Sequence, residues 1–585
     1  MKQNFLPISL KEAKARGWSE LDIIIITGDA YVDHPSFGAA VIGRVLEAHG
    51  YRVGIIAQPD WKSCHDFQQL GRPRLFFGIT SGNVDSMIAN YTANKRKRRM
   101  DDCSPGGKAD LRPDRALIVY ANRVREAYAG VNVVLGGMEA SLRRFAHYDY
   151  WAEQVRRSIL FDTKTDLLVY GMGEGAILEI ADRLAGGEAL SELNHIRGTA
   201  VLRKDIDFLD KPVMLPSFES VKESKQSFAL AFKASYEQMS PKNAHSLVQQ
   251  HGSRYLVQFP PRQLSQGELD KVYELPYQRA WHPVYDKQGG VKGLETVRTS
   301  LISHRGCCGE CSFCSLFLHQ GRIVQSRSEQ SIVREARALA QRDDFKGTIT
   351  DVGGPTANLY QANCSFWDKG GYCREKKCLA PTKCDQLKLG YQKSLSLYRK
   401  LRELPKVKHV FIGSGFRYDL LVDNYAAQYL EEVCNYHVSG QLKVAPEHVS
   451  DHVLKVMNKT PFALYQKFVK RFNQVRQKLG KKIFLVNYFL SAHPGSTLED
   501  AQLLADYLQK CHIRPQQVQD FTPSPLSLAT CIYYTGIDPF SGEKVFVPKT
   551  FKERQMQRAL IQPQNKVNHK LIKEARKILR PKGHR

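Results

Sequence analysis

Cys307, Cys311 and Cys314 lie on one short stretch, with three and then two residues between them. Three thiolates at that spacing wrap a single loop around a cubane iron–sulfur cluster, ligating three irons and leaving the fourth open. An electron-transfer ferredoxin uses four protein ligands per cluster, whereas catalysis at iron needs a vacancy. Zinc is the competing reading, but zinc motifs favour paired Cys-x2-Cys units and a fourth ligand. Cys308 breaks the spacing to Cys311 and is expected to be a bystander.

A second group, Cys364, Cys373, Cys378 and Cys384, puts four thiols into 21 residues that also hold Gly370, Gly371 and Pro381. An auxiliary iron–sulfur cluster, a structural zinc and four unrelated thiols all remain open for it. Cys64, Cys103, Cys434, Cys511 and Cys531 are scattered, as ordinary buried thiols are. Clustering of this kind in a long chain points to metal rather than to a disulfide framework.

The Cys-x3-Cys-x2-Cys loop, with Phe313 before its last cysteine, resembles the signature of radical S-adenosylmethionine (radical SAM) enzymes. Segments 27–38, 57–61, 136–144, 147–151 and 321–328 are similar to the YgiQ family of that superfamily. So are segments 351–358, 442–448 and 488–495, which hold Gly353-Gly354-Pro355, Lys443, Glu447-His448 and His493. The resemblance covers nearly the whole chain. It implies a 4Fe-4S cluster whose open iron chelates S-adenosyl-L-methionine, a 5′-deoxyadenosyl radical as the oxidant, and an electron donor such as flavodoxin or ferredoxin. It also implies that Gly353 and Gly354 meet the cofactor's amino group, although Pro355 stands where the superfamily has an acidic residue. Arg417 would meet a carboxylate, as its forked geometry suits. Lys443, Glu447, His448 and His493 would line the substrate cavity at successive strand ends. No catalytic residue is assigned. The first ~200 residues resemble the cobalamin-binding domains that precede other radical SAM cores. The usual Asp-x-His-x-x-Gly motif is not matched, because Asp33 and His34 are adjacent and Gly38 comes four residues after His34.

The elements that must position these residues read as α/β throughout. Apolar β-rich runs at 22–27, 52–57, 75–79, 131–135 and 166–170 alternate with helical patterns such as 37–50. Strand–crossover–strand order implies a doubly wound parallel sheet covered on both faces, with Asp29, Asp33, His34 and Glu174 beyond its carboxyl ends, where ligands bind. We expect an N-terminal Rossmann-like domain over 1–205, a connecting helical region over 206–290, a partial (βα) radical SAM barrel over 291–540 and a basic tail over 541–585. In the tail, Val567, Leu571, Ala575, Ile578 and Leu579 fall on one helical face.

With 85 Lys and Arg against 59 Asp and Glu, the net charge is +26, which favours polyanions nearby. From residue 544 to 585 there are 13 basic residues against Glu553 and Glu574. RNA or a ribosome-associated target is therefore the leading substrate class. A small metabolite is the alternative within catalysis, and a cluster-carrying redox or scaffold protein the alternative outside it. No apolar run approaches the ~20 residues that span a bilayer, and no cationic-then-apolar leader opens the chain. A cytoplasmic enzyme is the expectation.

Overall fold

In the computed structural model, residues 4–515 and 518–580 are described. The chain divides into two compact units, the first essentially residues 1–300 with 318–321 and 327–331, the second the remainder from Leu301.

The first unit is built on a nine-stranded sheet. Its strands are β1 (Ile23–Thr27), β2 (Val53–Ala57), β3 (Phe76–Thr80), β4 (Val133–Leu135), β5 (Leu167–Val169), β6 (Thr199–Arg203), β7 (Val213–Leu215), β8 (Leu247–His251) and β9 (Arg254–Gln258), in the order β7-β8-β9-β6-β5-β4-β3-β1-β2. β2, β1, β3, β4 and β5 run parallel, with Ile25 facing Ile55 on one side and Gly78 on the other. Every residue of β1 is buried. An unbroken Ile run is what a strand covered on both faces needs, and truncating Ile25 to Ala should cost about 2–5 kcal/mol. Helices α1 (Gly38–Ala48) and α2 (Glu174–Ala185) pack on this sheet through Ala40, Leu46, Ile177 and Ile180. Gly28 ends β1 where a side chain would strike the Ser81 carbonyl oxygen at 2.3 Å, so only glycine lets the neighbouring strand end pass.

Residues 206–290 are more than a helical connector. β8 and β9 form a hairpin through Gly252, β9 pairs antiparallel with β6, and β7 joins the edge parallel to β8. The expected boundary at 205 thus falls inside one continuous sheet.

The second unit carries short strands that pair largely in chain order. β10 (Ser300–Ile302) pairs with β12 (Asp351–Gly353), and β11 (Thr348–Ile349) with β13 (His409–Val410). β14 (Gln441–Glu447), β15 (Phe484–Ser491) and β16 (Val518–Asp520) are parallel neighbours, and Phe416 bridges to Val444. Helices α3 (Leu498–Lys510), α4 (Phe551–Ile561) and α5 (His569–Leu579) close one side, with Leu498, Met556, Leu560, Ile572 and Ala575 in one apolar cluster. The expected stripe on α5 is only partly right. Val567 and Ile578 are exposed, while Ile572 and Ala575 are buried and Leu571 and Leu579 pack partly against the cluster. The docking face is set by α4, not by the widest apolar stripe. Among the described residues no helix is long and apolar enough to cross a membrane.

Candidate active site

The cysteine loop follows β10 and is gripped by three hydrogen bonds from two later segments. Ser312 N–H donates to the Met457 carbonyl (3.0 Å), the Ser312 carbonyl accepts from Ala529 N–H (2.9 Å), and Asn458 Nδ2 donates to the Glu310 carbonyl (3.0 Å). Arg322 pairs with Glu310 at 3.2 Å and lies over the Tyr372 ring. A loop held this way keeps its thiols in place before any ligand arrives, which is the pre-organisation a metal site requires.

Cys307, Cys311 and Cys314 are all half-buried. Burial, and then the Cys311 thiol, push Cys307 up to about 11; burial with Cys311 and Cys307 pushes Cys314 up to about 12. Thiols so raised are unfavourable as free thiolates and are stabilised when a metal takes the charge. Two cations answer them. Arg417 Nη1 lies 3.7 Å from Cys311 Sγ, while Nε and Nη2 are held by the Asp419 carboxylate. Lys459 is buried; that burial would depress its charge but is outweighed by Cys311 and Glu447. Its Nζ donates to the Ala445 carbonyl at 2.7 Å and sits 3.9 Å from Glu447. Among the described residues, no three Cys, His, Asp or Glu groups converge on one metal-ion position. A cubane attaches each thiolate to a different iron, and three thiols on one held loop beside Arg417 and Lys459 suit such a group.

The paired glycines are explained first by packing. A side chain on Gly354 would meet the His304 carbonyl oxygen at 2.6 Å and its ring at 2.7 Å; one on Gly353 would strike Ser414. The Gly353 carbonyl accepts from Ser303 N–H (2.7 Å) and Oγ (3.1 Å). The strand-end loop 413–417 is fixed in turn. Asp351 accepts from Gly413 and Ser414 N–H, Asn358 bonds both the N–H and the carbonyl of Arg417, and Lys443 Nζ donates to the Gly413 carbonyl at 3.0 Å.

The expected cavity-lining residues have other duties. His493 Nε2 meets Ser312 Oγ at 3.0 Å, its Nδ1 meets the Pro494 carbonyl, and its ring packs edge-on to Phe313. It therefore supports the cysteine loop. Burial drives it down to about 3, so it is neutral. His448 is buried, lowered to about 4 and accepts from Ser450 N–H. Glu447 is buried with a left-handed backbone (φ +68°), strain of the kind that gathers at functional sites. Sequence reasoning missed Asp419 and Lys459, which reach the site only through tertiary folding.

Cys308 is not isolated. Its thiol hydrogen-bonds that of Cys378, a member of the second group. In that group Cys364 precedes helix Ser365–Gly370, Cys384 N–H donates to the Cys378 carbonyl at 2.9 Å, and an Asn363–Lys388 bridge closes the neck. Burial, followed by the nearby Cys378, Cys364 and Cys384 thiols, raises Cys373. Cys373 thus lies within electrostatic reach of the other three thiols.

In the first unit, Asp33 pairs with Arg44, and His34 accepts from Ser36 N–H through Nδ1 while its Nε2 faces Arg279 Nη1 at 3.2 Å. Both are buried. That does not fit a histidine that ligates cobalt, and no role through cobalamin is derived for it. Asp29, at the carboxyl end of β1, is likewise paired with Arg112.

A sequence family described as radical SAM N-terminal matches residues 5–300, and a domain of unknown function (DUF3362) matches residues 516–583. A UPF0313 protein of Clostridium botulinum (strain ATCC 19397 / Type A) is 50% identical over 573 residues, covering 98% of this chain and 89% of that protein. One from Methanocella arvoryzae is 51% identical over 565 residues, covering 96% and 94%. Among solved structures, the radical S-adenosylmethionine methyltransferase TsrM from Kitasatospora setae, with tryptophan and a SAM analogue bound, aligns at 15% identity. The alignment has a TM-score of 0.49 and covers 86% of this chain and 75% of that one.

Proposed function

The chain belongs to the UPF0313, or YgiQ, family of radical SAM enzymes, and on that premise we propose that Cys307, Cys311 and Cys314 hold its site-differentiated 4Fe-4S cluster. The observation that carries this is the hydrogen-bonded loop with three half-buried thiols, Cys307 and Cys314 raised by burial, faced by Arg417 and Lys459. When bound, the cluster and S-adenosyl-L-methionine together supply a 5′-deoxyadenosyl radical, chemistry that belongs to the cofactors.

The chain's own residues do the rest. His493, Asn458, Met457 and Ala529 fix the loop. Arg417 and Lys459 offset the negative charge that three thiolates bring, and burial excludes water. With Nε and Nη2 held by Asp419, Arg417 turns Nη1 to the Cys311 sulfur, and it stays the proposed contact for the cofactor's carboxylate. Gly353 and Gly354 let His304 and Ser414 pack against the end of β12, and they stay the proposed backbone contacts for the cofactor's amino group. The β10–β16 order supports a partial (βα) barrel. For Cys364, Cys373, Cys378 and Cys384 we propose a second metal site, supported by the electrostatic reach of Cys378, Cys364 and Cys384 to Cys373.

RNA or a ribosome-associated target remains the proposed substrate class, supported by exposed Lys566, Lys570, Lys573, Arg576 and Lys577 around α5. A small metabolite is the competing substrate. Electron paramagnetic resonance of anaerobically reconstituted, reduced protein tests the cluster assignment. Its signal should change on adding S-adenosyl-L-methionine, and an unchanged signal would overturn direct coordination.

A further inference from the structure

Arg144 is 5% exposed, yet no carboxylate pairs with it among the described residues. Its Nε donates to Gln258 Oε1 at 2.5 Å and its Nη1 to the Ser141 carbonyl; both acceptors are neutral. The guanidinium also lies over the Tyr170 ring, 4.7 Å from its centroid. Buried charges are ordinarily paired, and an unpaired one asks for an absent partner. Burial without a counter-ion lowers Arg144 to about 10.

The guanidinium borders a cavity whose lining residues all fall in the first unit, among them Tyr170, Gly171, Met172, Gln258 and Arg262. About 40 Å³ of it is open to water centres. A single water needs roughly 10–15 Å³ by that measure, so the space suits one small polyatomic group. It opens at the carboxyl end of β5, where the turn Gly171-Met172-Gly173 leads into α2, a 12-residue helix with no side-chain cap at its N-terminus. The first residues of that helix do not line the cavity, and the Gly171 N–H donates to Ser141 Oγ at 3.0 Å, so the cavity's anion ligands are side chains. Arg262 adds a second cation, partly engaged by Glu179 at 3.0 Å. The Glu174 carboxyl heads the helix but does not line the cavity.

We propose that this cavity is an oxyanion site that takes a phosphate group, with Arg144 as its principal ligand. The proposal does not depend on the cluster assignment. The phosphate is either the free ion or the terminal group of a larger molecule such as a nucleotide.

Calorimetric titration of the full-length protein with inorganic phosphate tests this, with acetate as a control and AMP as a competitor. Saturable phosphate binding, at least tenfold weaker in Arg144→Gln and partly restored in Arg144→Lys, supports the site. AMP displacing phosphate supports a site for a phosphoryl group on a larger molecule, and AMP leaving it in place supports the free ion. Should Arg144→Gln fail to fold, Arg262→Ala must still weaken phosphate binding. No saturable phosphate binding by the unaltered protein, equal binding by a folded Arg144→Gln variant, or acetate binding as tightly as phosphate would each overturn the proposal.

Discussion

The guanidinium of Arg417 faces the Cys311 sulfur with Nη1, at 3.7 Å, while Asp419 holds its other edge. This ties a cation from the strand-end loop 413–417 to the middle ligand of the cysteine triad. Removing the cation should make one-electron reduction of the bound cluster harder, because the reduced form carries more negative charge. Arg417→Gln is expected to lower the midpoint potential on the order of 60 mV, a tenfold change for a one-electron couple, and Arg417→Lys should recover most of it. A redox titration followed by paramagnetic resonance reads the shift. An unmoved midpoint in Arg417→Gln would leave the residue a packing role only.

The second cysteine group makes a separate prediction. With Cys307, Cys311 and Cys314 all replaced by Ala, the reconstituted protein should still carry iron or zinc on Cys364, Cys373, Cys378 and Cys384. Elemental analysis of that triple variant decides it, and a preparation free of stoichiometric metal would remove the second site.

Asp22 anchors the start of β1 by accepting from Arg52 and Arg74. Burial pulls its carboxyl up, but these bonds outweigh it and hold it at about 2, below the ordinary 3.8. A depressed carboxylate stabilises the fold above its unfolded value and loses that contribution as pH falls through the folded one. Asp22→Asn should therefore cost about 1–2 kcal/mol at pH 7, allowing for partial solvent screening. The gap to the unaltered protein should narrow as the pH approaches ~3. Urea titrations at both pH values measure it, and a gap independent of pH would contradict the ionic origin.

The basic tail is docked, not dangling: Ile572 and Ala575 of α5 pack with Met556 and Leu560 of α4. Charge removal is thus a cleaner test than truncation. Replacing Lys570, Lys573, Arg576 and Lys577 with Gln should weaken single-stranded RNA binding. It should also flatten the salt dependence, by up to roughly 0.7 in log–log slope for each phosphate no longer neutralised. Filter binding at several salt concentrations measures both quantities. Equal binding by the two proteins would favour the small-metabolite reading.

How much of this was legible in the sequence differs by residue. Cys307, Cys311 and Cys314 were, because a loop wrapped around one cluster writes its spacing locally. The parallel strands were as well, since Ile23 to Ile26 can only be a strand covered on both faces. The β8–β9 hairpin was missed despite β-rich runs, Leu247-Val248 and Tyr255-Leu256-Val257, either side of the turn pair Gly252-Ser253, a signal that was present. Nothing local marks Asp419, Lys459 or the Cys308–Cys378 hydrogen bond, which arise where distant segments meet. His493 was placed at a strand end, but its contacts with Ser312 and Phe313 were not legible, because strand-end position does not fix which way a side chain turns.

The most direct test of the central assignment is production of 5′-deoxyadenosine from S-adenosyl-L-methionine by anaerobically reconstituted, chemically reduced protein and its cysteine variants. The unaltered chain and Cys308→Ala should both form it, and Ala at Cys307, Cys311 or Cys314 should abolish it. Undiminished formation by Cys311→Ala would contradict the assignment of that loop as the catalytic cluster site.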